Sequence, residues 1–365
     1  MKIVFFNGEE VTDKHLAIQK LKEAGHEVFL YSLDKIPPNR RKLIEIRHFQ
    51  MYEHILDHAQ EVNADILYFA CPISCPELMI YELRARPDFK PKITFMGQLR
   101  ELNRSMARSL CLKELVDLPQ ISRVTFSTLI QENIKLPDNL IKVGGLNKEK
   151  TNYISEYYNV DPKLFDSVTR KESRDYFGIK YDEFVLLNSG SWSYIKETDI
   201  FIEAIKHINK DITIFIHKNT SGRIGEDPNF LNSQKLFEST IKAYKNIISI
   251  ERRSTHEEMV MLYKCADLVL CSHRKLYEYS VSGIPGMAAL AEVPIVAPDF
   301  YYFNELIDRY KIGVKYEPEN AMDMARSIDY AKNNIEKINK NAKYKESIKN
   351  YYDPYDAPFK VIPNI

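Results

Sequence analysis

Residues 2–31 read KIVFFNGEEVTDKHLAIQKLKEAGHEVFLY, and this stretch decides the fold class. Its apolar start, Lys2–Phe6, has the length and composition of a buried parallel strand. Apolar residues then recur at helical spacing over His15–Ala24, and Gly25 can adopt the left-handed angles that end a helix. His26–Tyr31 is a second apolar run. A strand, a helix and a strand in direct succession predict a βαβ unit with a right-handed crossover.

The same alternation continues along the chain. Further helices are predicted at 41–62, 76–85, 105–116, 198–208, 233–244, 255–264, 285–291 and 322–333, and further strands at 65–70, 92–95, 123–126, 184–187, 212–216, 247–250, 268–271 and 295–297. Short apolar strands that alternate with helices are typical of doubly wound α/β sheets. Ser254 and Glu257 are predicted to form a capping box for the helix at 255–264.

Regularity is lost between about 133 and 182, where prolines, glycines and charges replace periodic runs. Such a composition predicts a linker between domains. We therefore expect an α/β protein with two Rossmann-like doubly wound domains, 1–160 and 161–340, that face each other across a cleft at the carboxyl ends of their sheets. The remaining segment, 341–365, is expected to pack back on the body as a tail.

The composition and charge of the chain argue against several classes of function. The 365 residues carry 51 basic and 51 acidic side chains. This balance argues against a nucleic-acid partner, because proteins that bind nucleic acids usually have a basic excess. The five cysteines show neither zinc-site nor CxxC spacing. The start of the chain turns polar after a short apolar run, and no apolar run approaches the roughly 18 residues of a membrane span. A cytoplasmic protein is expected.

A loop rich in small residues, YEYSVSGIPGMAALAEVPIVAPD (277–299), is the first candidate site. Pro285 suits the first turn of a helix, and Gly283 permits tight backbone angles. A helix start presents backbone N–H groups and the positive end of the macrodipole to an anion. Ser280 and Ser282 add hydroxyl donors. The pattern predicts either a diphosphate cradle or a surface loop that enters a buried helix.

A second candidate group follows the strand predicted at 184–187. The segment Asn188–Trp192 ends this strand, and Lys196 lies just before the next helix. A lysine in that position can reach a phosphate oxygen across the cleft, and the alternative is a solvated surface lysine. Trp192, the only tryptophan, either stacks on a base or packs in the protein.

These segments resemble a known family, the GT-B fold glycosyltransferases of the retaining family-4 type, also called glycosyl transferases group 1. Residues 265–307 are similar to its pattern of an Ala-Asp strand, a small-residue loop, a helix, G-x-P-V-V and a trailing glutamate. Glu292 stands where the pattern has the glycine of G-x-P-V-V, and Glu305 matches the trailing glutamate. Residues 190–205 are similar to the family's G-R-x-x-x-x-K-G segment, with Lys196 at the phosphate-binding lysine.

The resemblance implies a nucleotide-diphosphate sugar as donor, and two departures affect its site. Met287 and Tyr279 stand where the family has its two glutamates, and Glu278 is one residue out of register. The family's arginine after the strand glycine is Ser191 here, so Arg252 or Arg253 is expected to supply that charge. The implied donor-binding residues are Gly190, Ser191, Trp192, Glu278, Tyr279, Ser280, Val281, Ser282, Gly283 and Ile284, with Lys196 and Arg253 as the catalytic residues that stabilise the leaving group.

The acceptor, a glycan or glycoconjugate, is expected to bind the N-terminal domain. Candidate residues follow its predicted strands and comprise Asn7, Gly8, Glu9, Gln98 and Arg100. The family resemblance implies transfer with retention by a front-face path that needs no protein nucleophile. Neither a metal nor a cofactor is expected, because cationic side chains and a helix dipole can stabilise the leaving group, and the absence of a DxD triplet agrees with this.

Other patterns leave alternatives open. His54 and His58 have the spacing of a metal pair, although a structural role is favoured because no third ligand is evident. Arg100, Arg104 and Arg108 recur every four residues, which predicts either a peripheral membrane contact or a solvated face. The oligomeric state stays open. Besides a glycosyltransferase, the sequence leaves room for a nucleotide-sugar epimerase or for a catalytically silent GT-B-fold partner protein.

Overall fold

The computed structural model describes residues 1–6, 16–31, 44–70, 73, 75–97, 102, 105–127, 136–154, 160–191, 196–219, 230–252, 254–275, 278, 282–349, 359 and 361–362. The chain divides into two compact units, Met1–Glu156 with Tyr352–Ile365 and Tyr157–Tyr351. The described part of each unit is built around a six-stranded parallel sheet with helical crossovers, which confirms the predicted α/β class. None of the described helices has both the length and the apolarity that crossing a membrane requires.

The first unit alternates strands and helices in chain order. Its elements are β1 Lys2–Phe6, α1 Leu16–Glu23, β2 Glu27–Leu30, α2 Ile44–Glu61, β3 Ile66–Phe69, α3 Pro76–Arg84, β4 Lys92–Gly97, α4 Met106–Asp117, β5 Ile121–Ser127, α5 Asp138–Lys142 and β6 Thr151–Ile154. The sheet order is β2-β1-β3-β4-β5-β6. This order reverses between β1 and β3, and α/β sheets bind ligands outside the carboxyl ends of strands at such a reversal.

The first βαβ unit forms as the sequence predicts. Gly25 has φ +82°, the left-handed region that glycine occupies without steric cost, and it ends α1. The buried face of β1 and β3 then packs against the end of the chain. Val361 and Ile362 are fully buried in the same core, and the Thr94 hydroxyl donates to the Val361 carbonyl oxygen at 3.3 Å.

The second unit contains the other sheet, whose order is β12-β11-β10-β7-β8-β9. Its elements are a 3-10 helix Pro162–Phe165, α6 Arg170–Phe177, β7 Phe184–Ser191, α7 Thr198–Ile205, β8 Ile212–Asn219, α8 Phe230–Ala243, β9 Ile247–Ile250, α9 His256–Cys265, β10 Leu268–Leu270, α10 Gly283–Leu290, β11 Ile295–Pro298, α11 Tyr301–Tyr310, β12 Gly313–Tyr316, α12 Ala321–Asn333, α13 Ile335–Asn341 and α14 Tyr344–Ile348. The order reverses between β7 and β10, so the segments after these two strands border the expected ligand crevice.

The boundary between the two units, Glu156/Tyr157, lies inside the region where a linker was predicted, and the described residues of that region contain more regular structure than its composition suggested. The region contains α5, β6, the 3-10 helix and α6. These elements are short, and β6 reads TNYI, which has no continuous apolar run. Helix α6 begins at a capping box formed by Thr169 and Glu172 and ends at Gly178, whose φ is +67°.

Helix α6 is anchored to the sheet by Arg174, whose side chain is 1% exposed. Its guanidinium donates to Asp267 Oδ2 at 2.6 Å, to the Cys265 carbonyl at 3.1 Å and to the carbonyls of Lys180, Tyr181 and Glu183. Asp267 also accepts from the backbone N–H of Val185 at 2.8 Å. The Ala-Asp pair of the family pattern therefore has a structural role here.

The capping box of α9 is one residue away from the predicted one. The N-cap of this helix is Thr255, whose hydroxyl accepts from the backbone N–H of Glu258 while the Glu258 carboxylate accepts from the Thr255 N–H. The predicted pair, Ser254 and Glu257, is wrong because Ser254 is used elsewhere. Its hydroxyl lies 3.1 Å from Nε2 of His217.

Candidate functional site

The carboxyl end of β7 is cross-linked to both neighbouring strands by buried side chains. Asn188 donates to the hydroxyl of Ser272, which follows β10, at 3.2 Å, and Ser189 Oγ lies 3.0 Å from Nδ1 of His217 on β8. His217 Nε2 lies 3.1 Å from the Arg252 carbonyl oxygen. Burial lowers the pKa of His217, which favours the neutral ring. His217 therefore has a structural role, in which its hydrogen bonds link the ends of neighbouring strands.

Lys196 lies between β7 and α7, where its ammonium group contacts Nε2 of His273. His273 follows β10 and is fully buried, with its ring centroid 5.2 Å from that of Phe303. A charged ammonium can only donate, so Nε2 accepts and the imidazole is neutral. This contact places the Lys196 ammonium beside the segment that follows β10, at the reversal of the strand order.

Glu197, the next residue, is a buried carboxylate that the sequence did not single out. It is 0% exposed and has φ +49°, in the left-handed region that residues with a Cβ avoid. Its two oxygens accept from the Tyr316 hydroxyl at 2.6 Å and from the backbone N–H of Glu319 at 2.8 Å. Burial raises the pKa of Glu197 to about 7, against the opposing effects of these hydrogen bonds and of Arg274.

The basic cluster His273-Arg274-Lys275, which follows β10, could be read from the sequence as part of the phosphate cradle or as a solvated turn, and its central residue fits neither reading. Arg274 is almost fully buried and forms ion pairs with Asp199, at 2.5 Å, and with Glu319. Its charge is therefore already balanced within the protein. Of the cluster, His273 contacts Lys196 and Lys275 is exposed.

Helix α10 begins beside the end of β7, as a phosphate cradle requires. A Cβ added at Gly190, which has φ +136°, would lie 3.7 Å from Cδ1 of Ile284. Gly283 is the first residue of the helix, and Ser282 is its N-cap, with a hydroxyl that accepts from the Ile284 N–H at 3.4 Å. Pro285 has no N–H and the Ile284 N–H already donates to Ser282 Oγ, so the Gly283 N–H is the main donor that the described first turn offers to an anion.

The structure brings part of the predicted donor set together. Gly190 lies near Ile284, since a Cβ added to it would meet the Ile284 side chain. Ser191 ends β7, and the backbone N–H of Glu278 donates to the Lys275 carbonyl at 2.9 Å. The other predicted residues lie outside the described residues; they are Trp192, Arg253, Tyr279, Ser280, Val281, Asn7, Gly8, Glu9, Gln98 and Arg100.

The structure also defines the contacts of Arg252, an alternative source of positive charge, and of Met287, which replaces a glutamate of the family pattern. Arg252 donates through both terminal nitrogens to Glu258, which also accepts from the Tyr176 hydroxyl at 2.8 Å. The hydrogen bonds from Arg252 lower the pKa of Glu258 to about 2. Arg252 is thus committed to an ion pair. Met287, at the position of the family's second glutamate, is fully buried on α10 and belongs to the core.

In the first unit, the predicted acceptor residues follow β1 and β4 along the chain. His58 on α2 lies with its ring centroid 5.7 Å from that of Tyr31 and its Nδ1 3.9 Å from Glu61, as a packed structural residue does. Within the part of the chain that the structure describes, no three His, Cys, Asp or Glu side chains form a group able to hold a metal ion.

Comparisons with known proteins agree with this architecture. Residues 169–350 match the family model described as glycosyl transferases group 1. Similar solved structures include sucrose-phosphate synthase from Thermosynechococcus elongatus, with a TM-score of 0.71, 13% identity and coverage of 97% of this chain and 95% of that one. HepE from Anabaena, in complex with UDP and glucose, has a TM-score of 0.65 and 16% identity, and the match covers 96% of this chain and 95% of HepE. A glycosyltransferase from Rickettsia africae ESF-5 has a TM-score of 0.65 and 15% identity, and the match covers 98% of each chain.

A sequence comparison with curated proteins found no match. At these identities the solved structures establish the fold, which is GT-B. The family match confirms the resemblance inferred from the sequence, and residues 169–350 belong to the glycosyl transferases group 1 family.

Two glutamates stand where the family pattern has glycine, and both keep a left-handed backbone. Glu197 has φ +49° and Glu292, which follows the C-cap of α10, has φ +57°. Glycine is favoured after a helix because the left-handed region costs other residues about 1–2 kcal/mol. Only Glu197 is buried, whereas Glu292 is exposed.

Replacing Glu292 by glycine is expected to stabilise the second unit by about 0.5–1 kcal/mol, since relief of the left-handed strain exceeds the entropy cost of glycine. Urea unfolding of the Glu292→Gly variant measures the gain. Glu292→Ala is the control and should show no gain, because alanine keeps the Cβ. Equal stability of the two variants would contradict this explanation.

Glu197 is expected to make stability depend on pH. The folded protein binds the Glu197 proton more tightly than the unfolded chain does, so the contribution is complete below the ordinary pKa of 4.5 and is lost as the pH rises through about 7. The loss is on the order of 3 kcal/mol. Urea unfolding at pH 5 and pH 8 of wild type and Glu197→Gln measures it, and the variant should lack this component. An identical pH dependence in both would contradict the assignment.

Tyr316 and Glu197 were missed as parts of the site by sequence reasoning. Glu197 carried one signal, because it replaces the glycine of the family's K-G pair. Tyr316 carried no such signal, because it lies more than a hundred residues from Glu197 along the chain. It reaches Glu197 only because the strand order places β12 in the same sheet as β7.

Proposed function

We propose that this glycosyltransferase moves a hexosyl group from a nucleotide-diphosphate sugar to a glycan or glycoconjugate acceptor, with retention of configuration. The observation that supports it best is the position of the Lys196 ammonium, beside the segments that follow β7 and β10, where the strand order of the second unit reverses. Doubly wound sheets bind nucleotides at such a position.

A diphosphate leaving group fits this position by charge. Arg274 is neutralised by Asp199 and Glu319, and Arg252 is neutralised by Glu258, so neither competes for the phosphates. His273 is neutral, so its contact with Lys196 does not cancel the ammonium charge. The first turn of α10, near Gly190, adds the positive end of its dipole and the Gly283 N–H.

In the proposed reaction the bond between the anomeric carbon and the diphosphate oxygen breaks, and negative charge grows on that oxygen. Lys196 and the first turn of α10 stabilise this charge more strongly in the transition state than in the bound donor, which lowers the barrier. The proposal assigns no side chain as a nucleophile. The acceptor hydroxyl oxygen bonds to the anomeric carbon from the face that the diphosphate leaves, and the departing phosphate oxygen takes its proton, which gives retention. Lys196 and the first turn of α10 supply the charge stabilisation that a metal ion supplies elsewhere.

A thermal-shift screen with UDP, GDP, ADP and their sugars tests the proposal. UDP belongs in the panel because HepE, a structural neighbour, was solved with UDP. We expect one nucleotide to raise the melting temperature selectively and its sugar to be transferred or slowly hydrolysed. A selective shift without any turnover would favour the catalytically silent alternative, which the buried Met287 supports. No shift with any nucleotide would overturn donor binding.

A further inference from the structure

Lys196 belongs to a closed ring of contacts with His273, Tyr316 and Glu197. Its ammonium group contacts the His273 side chain, and the Tyr316 hydroxyl interacts with the His273 backbone. That hydroxyl donates in turn to Glu197 at 2.6 Å, and Glu197 is covalently joined to Lys196. The second Glu197 oxygen is held by the Glu319 N–H at 2.8 Å. Both the backbone and the side chain of Lys196 are thereby tied to one buried hydroxyl.

Glu197 combines two unfavourable features that core packing does not require. A residue with a Cβ is held at φ +49°, and a carboxyl group is removed entirely from water. Glycine, which the family has at this position, would accept the backbone angle without burying a charge. Such features persist where surrounding contacts fix them, and they cluster at functional sites.

From this ring we infer that Tyr316 and Glu197 act as a clamp that positions Lys196 for the donor diphosphate. The inference rests on the proposed function, since both residues act through Lys196 and neither is assigned a contact with the donor. A lysine side chain has several free torsions, and an ammonium already fixed at the strand ends loses less freedom when the anion arrives.

Isothermal titration with UDP, GDP and ADP, using the full chain, tests the clamp. We expect Tyr316→Phe and Glu197→Gly each to weaken binding of the preferred nucleotide about tenfold. Glu197→Gln keeps an acceptor for the Glu319 N–H and a polar partner for Tyr316, so its affinity should stay within about threefold of wild type.

Two matched controls separate positioning from general destabilisation. Tyr344→Phe removes another largely buried hydroxyl of the second unit, one that donates to Asn339 at 2.8 Å. Glu292→Gly removes the exposed left-handed glutamate. Both should bind the nucleotide with wild-type affinity. If Tyr316→Phe does not fold, Glu197→Gly carries the test, because it relieves the strained backbone angle.

A double-mutant cycle gives the decisive readout. In the Lys196→Ala background, Tyr316→Phe should change the affinity by less than about twofold, because the residue that it positions is gone. Wild-type affinity in both clamp variants, or an undiminished Tyr316→Phe effect without Lys196, would overturn the clamp and leave the proposed function standing. Failure of the wild type to bind any of the three nucleotides would overturn both.

Discussion

Replacing Lys196 by alanine is expected to weaken binding of the nucleotide diphosphate about 10–100-fold and to lower kcat about 100–1,000-fold. The first effect follows from the loss of a charge-assisted hydrogen bond to a phosphate oxygen. The second is larger because charge on the leaving oxygen grows in the transition state, where a preorganised cation contributes most. Titration with the nucleotide and steady-state kinetics with its sugar measure the two effects separately.

The control for Lys196→Ala is Lys206→Ala. Lys206 is an exposed lysine at the end of α7 in the same unit, paired with Glu203, and its removal should leave affinity and kcat unchanged. Lys196→Arg should keep part of the affinity, since the charge remains while the geometry differs. Equal affinity of Lys196→Ala and Lys206→Ala would show that the diphosphate binds elsewhere.

Replacing Arg174 by methionine is expected to destabilise the second unit by about 3–5 kcal/mol, because it leaves Asp267 and several carbonyl oxygens without their buried donor. For a folding unit of about 200 residues, such a loss of stability lowers the melting temperature by roughly 6–20 °C. The guanidinium is 1% exposed and reaches Asp267 at 2.6 Å and the Glu183 carbonyl at 2.9 Å, so methionine fills its volume without replacing its hydrogen bonds.

Lys171→Met is the control for Arg174→Met. Lys171 lies on the same helix, is exposed and pairs with Asp175 at 2.7 Å, an interaction that solvent screens. Its replacement should leave the melting temperature unchanged. If Arg174→Met unfolds at the wild-type temperature, the Asp267 anchor does not hold α6 in the way described.

The elements that the sequence predicted well are those with continuous apolar runs. β1, β3, β8 and β10 were identified because parallel strands buried on both faces need such runs. β6 and β12 were missed because edge strands can be partly polar, and the latter reads GVKY. The strand order itself was not predictable from spacing, since it depends on contacts between distant segments.

The candidate site was predictable only as far as local chemistry shows it. Lys196 and the start of α10 were singled out as candidates because strand ends and helix starts are positions at which α/β proteins bind anions. The surroundings of Lys196 were not predicted, since His273 reaches Lys196 and Tyr316 reaches Glu197 only through the order of β7, β10 and β12. Glu197 also contradicted the rule that carboxylates stay exposed, and buried exceptions of this kind are visible only in a structure.

A crystal structure with the nucleotide diphosphate selected by the thermal-shift screen tests the central claim most directly. We predict that the diphosphate lies at the carboxyl ends of β7 and β10, with an oxygen within about 3 Å of the Lys196 ammonium. We also predict another oxygen at the first turn of α10, in front of Gly283. A diphosphate bound away from both groups, or an empty crevice at saturating nucleotide, would contradict the account.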